Sequence, residues 1–137
     1  MKKHGATLLI LMLAVLTGLA SAQTRTITAQ VPFDYVLKGK TMLAGETTIK
    51  VQGDVQPILW ISSENARAVV FVNSAQSNRA SSMTKLVFHR YGDRYFLARI
   101  ERAGESLGYE LPATKLEAEL RAQNVAENDV ILLASAE

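Results

Sequence analysis

The sequence predicts a mainly β domain, an antiparallel β-sandwich or small barrel with one short C-terminal helix. Three features predict it. Apolar residues fall on alternate positions from Ile27 to Leu37, and short runs of branched and aromatic residues recur between turn residues. A single stretch with helical spacing follows Pro112 and opens on a capping signal.

The alternating set is Ile27, Ala29, Val31, Phe33, Tyr35 and Leu37, with Pro32 imposing an edge or a bend partway along. Lys38 to Lys40, around Gly39, reads as a turn. Thr47, Ile49 and Val51 share one face of the next strand, and residues 52–57 break it. Strand candidates continue at 58–62, 66–73, 84–91 and 94–101, with a last one at 129–135. Ser74 to Thr84 is the longest polar stretch and is expected to be a mobile loop. In the helix, Thr114 with Glu117 forms a capping box; Leu116 and Leu120 are expected to face the core, Glu117 and Arg121 the solvent.

Residues 1–22 read as a secretory signal peptide. Lys2 and Lys3 precede an apolar run of 13 residues, Leu8 to Ala20, and Ala20-Ser21-Ala22 fits the small-x-small cleavage pattern. A membrane-spanning helix needs about 20 residues, so no membrane span is expected after cleavage. Removing 22 of 137 residues leaves 115, enough for one core but not for two domains, so 23–137 is read as a single β-rich domain. Localisation is therefore expected to be exported, periplasmic or extracellular.

Charge follows the same cut. The 15 basic residues lose Lys2 and Lys3, leaving 13 against 13 acids. That balance removes the main support for nucleic-acid binding and for attachment to anionic lipid. With no cysteine, disulfides, thiol nucleophiles and cysteine metal sites are all excluded.

The segment KLVFHRYGDRYFLARIER, residues 85–102, concentrates four arginines, four aromatics and the only histidine after residue 22. Gly92-Asp93 suits a two-residue type II′ hairpin loop. Pairs would then sum to 185: Arg90 with Tyr95, Tyr91 with Arg94, His89 with Phe96, Phe88 with Leu97, and Val87 with Ala98. Leu86, Phe88 and Leu97 would share one face, with Val87, Phe96 and Ile100 on the other, so the hairpin is expected mid-sheet and covered on both sides. In that pairing Arg90, Arg94, Arg99 and Arg102 do not converge, and a register-fixing role outweighs an anion strip.

No catalytic constellation emerges. His89 has no orienting carboxylate nearby in sequence, and without a second histidine no metal is expected. Ser82 to Lys85 matches S-x-x-K but runs into a strand, where those positions point to opposite faces. Glu117 and Glu119 do not share a helix face. No cofactor is implied.

Three segments together resemble a family of small exported bacterial β-rich proteins of unknown function. VPFDYVLKGKTMLAGETTIKV is similar to its opening pattern VPF-D-F-x-V-x-x-K-x-L-P-A-G-x-Y-x-V. KLVFHRYGDRYFL and GYELPATKLEAEL resemble its K-L-V-F-x-R-Y-G-D-x-Y-F-L and G-x-E-L-P-x-S-x-x-E-x-E-L segments. Leu43 stands where proline is usual, and Thr47 where an aromatic is usual. The resemblance implies export and a β-rich domain, and supplies no catalytic residues.

Three function classes follow. The first is a non-enzymatic exported domain acting by protein–protein contact or self-association, envelope-associated or structural. Arg90, Tyr91, Arg94, Tyr95 and Trp60 are its candidate contact residues. Trp60, among Ile58, Leu59 and Ile61, is expected in the core; exposed, Trp60 or Tyr109 would serve as an anchor. The second class is a closed-barrel carrier of a small hydrophobic ligand, and the third a carboxylate-based hydrolase. An outer-membrane barrel is excluded by strand length, since each crossing needs about 9–11 residues.

Overall fold

Alternation of apolar and polar residues becomes two stacked sheets in the computed structural model, which describes residues 24–136. The expected signal peptide lies outside the described residues. In chain order the first strands are β1 (Arg25–Val31), β2 (Tyr35–Leu37), β3 (Lys40–Met42) and β4 (Gly45–Gln52). Next come β5 (Ile58–Ser62), β6 (Arg67–Phe71), β7 (Asn73–Gln76) and β8 (Lys85–Tyr91). β9 (Arg94–Glu101), β10 (Leu107–Glu110), helix α1 (Lys115–Ala122), β11 (Glu127–Leu133) and β12 (Ser135–Ala136) complete the fold. No described helix is long and apolar enough to cross a membrane.

The first sheet has the order β12-β1-β4-β5-β6 and is antiparallel throughout. The second has the order β11-β8-β9-β10-β7, with β2 beside β9 through a parallel bridge and β3 beside β2. The expected first strand is thus cut at Pro32, which cannot donate to a ladder, and its halves enter different sheets. The chain changes sheet again between β3 and β4, at Val72 and at Ala134. Between the sheets, Ile27, Ile49, Leu59 and Ile61 meet Leu86, Phe88 and Ile100, all at most 1% exposed.

Backbone pairing does not close the two sheets into a barrel. At one side, side chains bridge β3 and β6 instead. Lys40 Nζ donates to Arg67 O (3.1 Å), Lys38 Nζ to Val69 O (3.0 Å), and Asn65 bonds the backbone of Thr41 and Leu43. These lysines occupy the outward carbonyls of β6, which blunts that edge against strand addition. The sandwich half of the expectation holds, and the closed barrel does not form.

The hairpin of β8 and β9 lies mid-sheet, as its two apolar faces require. Gly92 has φ +65° with nothing within 4 Å of where a Cβ would lie, so backbone conformation alone selects glycine there. Pairs from Tyr91–Arg94 back to Phe88–Leu97 match the predicted register. A bulge between Val87 and Phe88 then shifts it, so Val87 faces Arg99 rather than Ala98, and Leu86 faces Ile100. The shift moves Ile100 into the inter-sheet core, not onto the face of Val87 and Phe96.

Other differences have local causes. Asn73–Gln76 is strand β7, paired with β10, so part of the polar stretch expected to be loop is held by a ladder. Tyr109 on β10 is 6% exposed, under the guanidinium of Arg102, 4.9 Å from its ring centre. Thr47 is buried, and its hydroxyl lies 3.0 Å from the Tyr35 hydroxyl, so a hydrogen-bonded pair fills this part of the interior.

Candidate functional site

Helix α1 starts at the predicted cap, where Thr114 Oγ1 accepts the Glu117 amide hydrogen at 3.2 Å, but the expected box is half made, since the Glu117 carboxylate turns to β8 and not back to the Thr114 amide. It stops at Asn124, in the left-handed region at φ 56°. There the Asn124 and Val125 amides bond Arg121 O and Leu120 O, closing a Schellman turn. That turn returns the chain into β11, which pairs with β8 so that Asp129 faces His89 and Glu127 faces Tyr91. His89 and Tyr91 alternate with Leu86 and Phe88, so they point away from the inter-sheet core.

The face that α1 turns inward carries Glu117, not the leucines. Glu117 is 5% exposed, whereas Leu116 and Leu120 are half-buried. Its Oε1 accepts from Tyr91 Oη (3.0 Å) and from Arg121 Nη2 (3.3 Å), and lies 2.6 Å from His89 Nδ1. Arg121 Nε also donates to Tyr91 Oη at 2.8 Å and lies 3.4 Å from Glu127 Oε2. The expected solvent-facing Glu117–Arg121 pair is therefore half wrong: Arg121 is exposed, but Glu117 is the buried acceptor of the whole cluster. A buried carboxylate is stable only with such donors. Burial, with Glu117 nearby, pushes the Tyr91 phenol up to about 12, against the lowering effect of its bond with Arg121.

This cluster gives His89 the orienting carboxylate that local sequence lacks. It contains no hydroxyl or thiol nucleophile apart from the buried Tyr91, whose raised pKa suppresses that role. His89, Glu127 and Asp129 also bring potential metal-ligating atoms within 4.8 Å of one another. However, Nδ1 of His89 faces Glu117, and the Arg121 guanidinium lies 3.2 Å from that nitrogen, where a cation would compete. The donor set is that of a charge-paired anchor holding α1 on the sheet.

The five residues expected to make contacts fall in three places. Arg90 lies 5.5 Å over the Tyr95 ring, which stacks on Phe33 at one end of the core. Tyr91 is 2% exposed beneath α1, where its cation is Arg121 rather than the cross-strand Arg94, which is itself exposed. The other expected arginines are paired locally, Arg99 with Glu101 (3.1 Å) and Arg102 with Glu105. Hence the hairpin residues form no common surface.

Trp60 is the exception, and it corrects the core expectation. On β5 the inward positions are Leu59 and Ile61, both 0% exposed, so alternation places Trp60 outward, 48% exposed. It lies opposite Lys50 on β4 and Val69 on β6; one pair along, Ile58 faces Phe71, which is 66% exposed. Nothing in the described residues covers this outer face. No family model, curated protein or solved structure matches the chain.

Proposed function

We propose that the protein is an exported, non-enzymatic β domain that works by protein–protein contact through the outer face of its first sheet. One observation carries the reading: Trp60, the chain's only tryptophan, stands half out of a sheet face beside the more exposed Phe71. A tryptophan held by its strand neighbours loses little freedom on binding and buries a large area, which makes it an effective anchor. Export rests on the leader pattern of residues 1–22. The histidine–carboxylate cluster, occupied in fastening α1, is read as structural.

The test is native mass spectrometry of the protein recovered from the exported fraction, followed by capture of partners from envelope extract. Expected is a chain beginning at Gln23 with a defined partner or second copy attached. Trp60→Ser and Phe71→Ser should remove that attachment while leaving the fold intact. Attachment that survives both substitutions would overturn the reading.

A further inference from the structure

The Trp60 face carries more than apolar area. A groove of about 660 Å³ runs beside Trp60, and its walls include Lys40, Lys50 and Arg67 but no acidic residue. Lys50 is the direct cross-strand neighbour of Trp60, and Arg67 lies two positions from Val69 on the adjoining strand. Lys40 spends one donor on Arg67 O and keeps its charge. Among the described residues none of the three joins an ion pair. Glu46 at the start of β4 and Glu64 in the β5–β6 turn do not line the groove.

Resting on the contact reading above, we propose that this groove is the docking site for an acidic segment of a partner protein. An apolar side chain of that segment lies against Trp60, and its carboxylates meet Lys40, Lys50 and Arg67. Three uncompensated cations beside a half-exposed indole are complementary to that chemistry. The chain's own first 23 residues are not: they hold Lys2 and Lys3 and no acid. Three cations within a domain of balanced net charge also form a much smaller footprint than a nucleic-acid backbone demands.

Because Trp60 is the sole tryptophan, intrinsic fluorescence reports occupancy directly. The probes are a synthetic peptide of glutamates and aspartates with one central leucine, its lysine counterpart, and phosphatidylglycerol vesicles. Expected is a saturable change with the acidic peptide alone, weakened about tenfold when salt is raised from low to several times physiological strength. The double substitution Lys50→Glu with Arg67→Glu should abolish it while circular dichroism and melting temperature stay unchanged. An equal response to the lysine peptide, a stronger one to vesicles, or none at all would overturn the acidic-segment assignment. The wider contact reading fails separately: there, Trp60→Ser leaves capture of an envelope partner unchanged. Capture that needs Trp60 but survives the double charge reversal would sink the inference and spare the reading.

Discussion

The two sheets are covered differently on their outer faces. Over the second sheet, Val87, Phe96 and Ala98 are buried outside the inter-sheet core, with Tyr91 edge-on to Phe96 and α1 fastened above by Glu117. Over the first, the equivalent outward positions remain open, and they include the largest side chain in the protein. Both sheets bury an inner apolar row; only one has been given a cover. The difference separates residues that hold the fold from residues left available for something else, and it separates them within single strands. Leu59 and Trp60 are neighbours in sequence with opposite roles.

Substitutions sharpen this comparison, beginning with the largest effect. Leu59→Ala should cost about 3 kcal/mol in denaturant unfolding, because it opens a cavity between the sheets. Glu117→Ala removes the shared acceptor of Tyr91 and Arg121 and should cost about 2–3 kcal/mol, with α1 exchanging its amide hydrogens much faster than β5. Loss of stability with no change in helix protection would break the claim that Glu117 fastens the cover. Gly92→Val should cost about 1–2 kcal/mol, since a branched residue resists φ +65°; an unchanged melting temperature would refute the hairpin turn.

Alkaline pH gives a smaller, graded effect. The folded pKa of Tyr91, at about 12, lies above its ordinary 10.0, so the folded state holds the proton more tightly. Its stabilising contribution is complete below about pH 10 and is lost as pH rises toward 12. Burial raises Tyr35 and Tyr109 in the same direction. Melting temperature should therefore fall over that window, and more gently in Tyr91→Phe. Smallest of all, Trp60→Ser should cost under about 1 kcal/mol, because half of its ring is already in water.

Much of the inner architecture was legible in the residues. Period-two alternation identified Ile27, Val31, Ile49 and Val51 as inward, and the Gly92 turn fixed four cross-strand pairs before the bulge. The bulge was not legible, since one extra residue leaves no mark in a run apolar on both faces. The orientation of α1 was also hidden. Two leucines four apart define a face on a helical wheel, but a buried Glu117 wins when a tyrosine and a histidine arrive from β8 and Arg121 stands one turn along the helix. The parity of His89 and Tyr91, with Glu117 and Arg121 one turn apart, was the available signal. For Trp60, apolar neighbours on both sides suggested a core, yet strict alternation of β5 between Leu59 and Ile61 already placed it outward.

The central claim is that the open face of the first sheet is a contact surface. Its most direct test is site-specific photo-cross-linking in cells that export the protein, with a photoreactive residue at Phe71, or at the exposed Ile131 on β11 of the second sheet as a control. A discrete adduct at Phe71, absent at Ile131 and lost when Trp60 is replaced by serine, is the predicted result. Equal labelling at the two positions, or an adduct indifferent to Trp60, would contradict it.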